Sequence, residues 1–238
     1  MSVFGAIIAS ALVGVVGGAV AGRSLETSPS YSNLTGRVVL SDDRVLVQAF
    51  RIQPGQSTGR HTHRDAELLV FIKGGVLRSQ ATGRSTLWKD GGVVWQTAAD
   101  RADEGSTNAS ATPIEMDLVT LKPVAESIAP VLGGKPKYQY LDYPNIPGQD
   151  VLDNDQVIVQ RFTVKPGQWE GVHAHCPDML FIHIKGGQWA AKTYTEPERP
   201  YPHPSPDGEV GWMPTIDISV GHQSRNIGKT RSIWSGSR

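Results

Sequence analysis

A chain of 238 residues has room for one large or two small domains, and its 23 basic and 23 acidic residues leave a formal net charge of +0. That balance removes the electrostatic reason to expect nucleic acid or an acidic membrane surface as a partner. The 26 glycines, 16 prolines and 7% aromatic residues suit a turn-rich protein of short strands better than a helical bundle, and the single cysteine, Cys176, excludes an intrachain disulfide.

The chain opens with "MSVFGAIIASALVGVVGGAVAGR", uncharged until Arg23 and carrying a small-x-small "AVA" that suits cleavage after Ala21. Residues 1–22 therefore read as an export signal, which would place the mature protein in the periplasm or outside the cell. The segment lacks the usual Lys or Arg before its apolar run, and that run approaches the roughly 20 residues that span a bilayer. An uncleaved membrane anchor is the alternative reading.

Beyond it the chain repeats itself. "VLVQAFRIQPGQ" (Val45 to Gln56) lies over "VIVQRFTVKPGQ" (Val157 to Gln168), an offset of 112 (157 − 45) that also superposes His61 on His173, His63 on His175 and one "IKGG" on the other. In chain order each copy predicts a β-branched strand, a Pro-Gly turn, a strand carrying the histidines, an apolar strand ("LLVFI" or "LFIHI") and a Gly-Gly turn. An Asp-Gly turn and a further strand follow at "DGGVVW" and "DGEVGW". The predicted layout is a first domain over 33–122, a linker over 123–144 with a short helix near Val124–Leu132, and a second domain over 145–238.

Residues i and i+2 of a strand share a face, so His61 and His63 can converge on one ion, as can His173 and His175. Glu67 keeps the parity of the first pair if the strand continues. Two imidazoles and a carboxylate leave coordination positions open for substrate, water or oxygen, an arrangement suited to iron and also taken by manganese, nickel or zinc. The plain alternative for any single His-x-His is a pair of solvated strand histidines.

"GQSTGRHTHRDAELLVFIKG", Gly55 to Gly74, resembles in full the first cupin motif of Gly, five residues, His-x-His, three residues, Glu, six residues and Gly. "GWMPTIDISVGHQSRN" is similar to the second, with His222 and Asn226 as its His-x-x-x-Asn. The resemblance covers roughly 200 residues and implies an all-β bicupin, two tandem cupin-type β-barrels or jelly rolls joined by the short helical linker. It further implies a divalent transition metal (Fe, Mn, Zn or Ni) and a small-molecule substrate, and two barrels rich in sheet edges leave room for assembly as a homo-oligomer.

The copies depart from the motif in opposite ways. Aligning "EGSTN" on "HQSRN" puts Glu104 at the fourth ligand position of the first unit, whereas counting from Trp95 gives Gly105. The expected first set is thus His61, His63, Glu67 and Glu104, leaning toward manganese or iron. In the second unit Met179 replaces the glutamate, with Asp178 one residue out of register, leaving His173, His175 and His222. Three neutral imidazoles resemble the iron centres of some cupin dioxygenases.

Cys176 is expected on the strand face opposite His175, as a small buried hydrophobe. His183 reads as a packed core histidine or a pocket residue, Trp95 and Trp212 as core, and Asn108 and Asn226 as turn closers. The proline-rich Thr195–Gly208 reads as a solvated spacer or as a rim carrying Tyr201 and His203. Three functions fit: an oxygen-using oxidoreductase of dioxygenase type, a redox-neutral lyase, decarboxylase or isomerase, and a non-enzymatic metal or small-ligand binding module.

Overall fold

The computed structural model describes residues 31–98, 103–122, 143–175 and 179–237. The export or anchor segment, the predicted helix at Val124–Leu132, Cys176 and Asp178 lie outside the described residues. Among the described residues no helix is long and apolar enough to cross a membrane.

Among the described residues sixteen strands make four antiparallel sheets, two from each half of the chain. The first half supplies β1 (Arg37–Ser41), β2 (Val45–Ile52), β3 (Glu67–Lys73), β4 (Gly75–Ser79), β5 (Ser85–Trp88), β6 (Val93–Gln96), β7 (Ser106–Asn108) and β8 (Ile114–Leu121). These form a five-stranded sheet in the order β1-β2-β8-β3-β6 and a three-stranded sheet, β5-β4-β7. The second half repeats the scheme with β9 (Gln149–Asp153), β10 (Ile158–Val164), β11 (Leu180–Lys185), β12 (Trp189–Lys192), β13 (Arg199–Pro200), β14 (Val210–Trp212), β15 (Gln223–Asn226) and β16 (Ser232–Ser237). Their sheets run β14-β11-β16-β10-β9 and β13-β12-β15.

The strands alternate, and both of their faces are covered. On β2, Phe50 and Ile52 enter the core between the sheets of the first unit, while Val45 and Val47 join a cluster shared with the second unit. On β3, Leu69 and Phe71 turn inward and Leu68, Val70 and Ile72 turn to that shared cluster. Burial on both faces is why "LLVFI" and "LFIHI" read as unbroken apolar runs. The second unit encloses Phe162, Val164, Trp189 and Trp234.

Asn108 and Asn226 close equivalent turns. Nδ2 of Asn108 donates to the carbonyls of Ile52 (2.9 Å) and Thr112 (3.0 Å), and Nδ2 of Asn226 to those of Val164 (3.2 Å) and Thr230 (2.7 Å). The proline-rich segment is more ordered than a spacer: Arg199–Pro200 pairs with Ala190 and Ala191 as an edge strand, the position in a sheet that proline tolerates.

Candidate metal centres and an adjoining cavity

After the Pro54-Gly55 turn the chain runs back along β7, and an isolated bridge pairs His61 with Asp103 through bonds of 3.0 and 2.7 Å. Nδ1 of His61 donates to the carbonyl of Gly59 at 2.8 Å. Nδ1 of His63 lies 2.6 Å from Oε2 of Glu67, with the two residues only 6% and 4% exposed. Each imidazole therefore commits its Nδ1–H and keeps an Nε2 lone pair. Nε2 of His63 is buried with no hydrogen-bond partner, an acceptor left open on the inside of the site.

His61, His63 and Asp103 each offer a ligand atom within 4.8 Å of the others. Glu67 stands behind this group, holding the far nitrogen of His63. Glu104 is not in it: its half-exposed carboxylate lies 3.4 Å from Nε of Arg60. The reason is one extra residue. Asn108 follows Asp103 by five positions, whereas Asn226 follows His222 by four. His173 N bonds to the His222 carbonyl just as His61 N bonds to that of Asp103, so Asp103 is the counterpart of His222. Gly105, at φ 89°, takes up the extra residue, and its N–H donates to Oδ1 of Asp103 at 2.6 Å. Neither alignment, to Glu104 from Asn108 or to Gly105 from Trp95, pointed to Asp103.

The second unit gathers His173, His175 and His222 within the same 4.8 Å. Nδ1 of His173 donates to Gly171 O (2.8 Å) and Nδ1 of His175 to Pro214 O (3.1 Å). Their Nε2 atoms then face one another at 2.9 Å as two lone pairs. That contact is repulsive unless a cation lies against both, so the donor set fits a metal ion. Burial pushes His173 and His222 down to about 4 and lowers His175 as well, with the neighbouring imidazoles adding to the effect on His173 and His222. All three rings are neutral ligands at neutral pH. Met179, only 1% exposed, fills the place that Glu67 holds in the first unit.

Several contributors were not anticipated from sequence. Tyr31 packs against His61 with ring centroids 4.5 Å apart, and Tyr143, 112 positions on, packs against His173 at 4.3 Å. Their shared offset was the available signal. Glu170 is buried close to Tyr201; burial pushes its carboxyl up to about 8, and a hydrogen bond from the Trp234 indole opposes the rise. Tyr201 hydrogen-bonds Ser224, whose Oγ lies 3.3 Å from Nε2 of His222. His203 is exposed, and His183 is a buried strand residue between Phe181 and Trp189.

The first metal-capable group opens onto a cavity of about 370 Å³ within the first unit. Tyr31, His61 and Asp103 form part of its wall, Leu77, Phe71 and Trp88 its apolar lining, and Arg84 and Gln96 further polar positions.

No family model matches the chain, and no curated protein matches it. Solved structures do. A putative glyoxylate-induced protein from Pseudomonas aeruginosa superposes with a TM-score of 0.55 at 13% identity, over 88% of this chain and 82% of that one. AerE from Microcystis aeruginosa gives 0.52 at 12%, over 90% and 94%. The oxalate decarboxylase of Lactobacillus farciminis, solved as a formate complex, gives 0.51 at 17%, over 87% and 84%. At these identities the likeness is one of fold, and the fold is that of a bicupin.

Proposed function

We propose that the chain is a metal-dependent enzyme, an oxidoreductase of dioxygenase type acting on a small organic substrate, with its reaction centre in the first unit. The observation that carries this reading is the adjacency of His61, His63 and Asp103 to a cavity of about 370 Å³. Two imidazoles and one carboxylate with open positions are the donor set favoured by non-haem iron that uses dioxygen. A bound iron would supply electron donation to oxygen and a site for substrate chelation. The chain's own residues set the conditions. Gly59 O and Glu67 hold the Nδ1–H groups, fixing the tautomer that presents Nε2 of both histidines. Phe71 and Trp88 line the cavity with apolar surface and limit the water at the centre.

The oxygen chemistry expected from sequence at the three-imidazole group is reassigned here, because the described cavity borders the first unit's group. We read His173, His175 and His222 as a second ion site, with manganese, zinc or nickel as occupants besides iron. Residues 1–22 support an exported enzyme.

The test is metal content and oxygen uptake on the full chain across a panel of small organic acids, alcohols and amides. Oxygen consumption with iron restored should vanish in the His61→Ala/His63→Ala variant and persist in His173→Ala/His175→Ala. Turnover without oxygen consumption would replace the reading with redox-neutral decarboxylase, lyase or isomerase chemistry, where the ion acts as a Lewis acid. Metal retention with no turnover across the panel would leave a metal or small-ligand binding module.

A further inference from the structure

The two units enclose very different interiors. Leu77 of the first is matched by Trp189 of the second through the offset of 112. Met116 is matched by Trp234, since Phe50 pairs with one and Phe162 with the other. Thr86, the partner of Leu77 across β4 and β5, is matched by Tyr201, whose N–H donates to Trp189 O at 2.8 Å. Large rings thus stand in the second unit where the first has smaller side chains and a cavity.

Two features of that cavity point to its ligand. The first is Arg84, the only Lys or Arg on its wall, which forms no ion pair among the described residues. A guanidinium presents a fork of donors matched to a carboxylate, a use that Arg51, Arg60 and Arg225 show in this chain, each against a glutamate. The second is the apolar wall, where Phe71 and Trp88 stack with centroids 4.9 Å apart and planes 11° from parallel beside Leu77, Val94 and Met116. Oε1 of Gln96, buried and without a partner, adds an unmet acceptor to the same wall. A volume of about 370 Å³ admits a single ring with substituents and lies at the small end of ligand pockets.

We infer that the first unit's cavity takes a ring-sized monocarboxylic acid, its carboxylate held by Arg84 and its apolar body laid against the Phe71–Trp88 wall. The inference deepens the functional reading above and rests on it for the identity of the site, although binding needs no turnover. Arg84 and the ring wall select the molecule; the histidine end then decides what happens to it.

Isothermal titration of the full chain with benzoate and with its neutral analogue benzamide tests this. Benzoate should bind more tightly than benzamide, and Arg84→Gln should weaken benzoate by about tenfold or more while leaving benzamide unchanged, the loss of one charge-assisted pair. Because Arg84 is exposed, the variant should keep the parent circular dichroism spectrum. A second variant, Leu77→Trp/Thr86→Tyr, copies the other unit's rings and should remove benzoate binding with Arg84 intact. Equal binding of the two probes, an unchanged benzoate affinity in Arg84→Gln, or no benzoate binding at all would overturn the inference. Benzoate held through Arg84 by a protein that consumes no oxygen would leave it standing and sink the dioxygenase reading. Oxygen uptake on a neutral substrate, indifferent to Arg84, would do the reverse.

Discussion

Glu67 and Met179 occupy one position in two copies of the same strand, and the difference decides how each histidine pair is held. In the first unit the carboxylate takes the far nitrogen of His63 at 2.6 Å, a bond that fixes the ring. In the second, backbone carbonyls alone orient His173 and His175. Glu67→Gln keeps the shape and removes the charge. It should weaken metal retention in the first unit about tenfold or more, read by chelator competition, with the second unit's metal unaffected. Glu170 carries a prediction of opposite sign. Its carboxyl is raised from 4.5 to about 8 by burial, so between those values the folded state holds a proton that the unfolded chain releases. Stability should therefore fall as pH rises through that window, by up to about 1.4 kcal/mol per pH unit from this group. Asp117, raised by burial to about 7, acts in the same direction. Glu170→Gln, an uncharged match for the buried acid, should flatten the decline in melting temperature between pH 5 and pH 8. A slope identical to the parent's would show that Glu170 does not hold its proton.

At the scale of elements, the short return strand that carries Asp103 depends on one glycine. A Cβ on Gly105 would lie 2.4 Å from the Gly59 carbonyl, and its φ of 89° is one that other residues rarely adopt. Gly105→Ala should move the strand away from His61, cost about 1–3 kcal/mol and lower metal retention in the first unit, measured by denaturant unfolding and elemental analysis. Unchanged metal content would separate Asp103 from the ion. The same glycine marks where sequence reasoning reached its limit. The repeat, the Pro-Gly turns and the histidine pairs were legible because period-two strands and turn chemistry are local, and the bicupin architecture came from the resemblance of Gly55–Gly74 and of the His222–Asn226 stretch to the two cupin motifs. The ligand register of the first unit was not, because one extra residue before Asn108 changes which residue faces inward without changing the motif around it. Arg84 and Gln96 were equally hidden. Nothing local to the β4–β5 hairpin says that it borders a cavity; that depends on Leu77 and Met116 being smaller than the tryptophans that answer them.

On the scale of the molecule, the five-stranded sheets of the two units bury their outer faces against each other. Val47, Leu68, Val70 and Val119 from one meet Val159, Leu180, Ile182 and Ile184 from the other in a single cluster. Polar contacts pin its margins: Trp212 Nε1 donates to Oδ2 of Asp42 at 2.6 Å, Arg44 lies 3.8 Å over the Trp212 ring, and Arg161 donates to the Gly91 carbonyl. A shared core makes the units one cooperative body, so the candidate centre in the first unit draws rigidity from the second even if the second performs no chemistry. Leu68 and Leu180, equivalent through the offset of 112, allow this to be measured. Each is almost fully buried, and either leucine replaced by alanine should cost about 2–5 kcal/mol. Because both line one cluster, the double variant should cost less or more than the sum by at least about 0.5 kcal/mol, whereas independent units would give simple addition. Calorimetry should accordingly show one transition for the parent chain. Two transitions with additive losses would mean that the units fold separately and that the apolar face between them is an accessory contact.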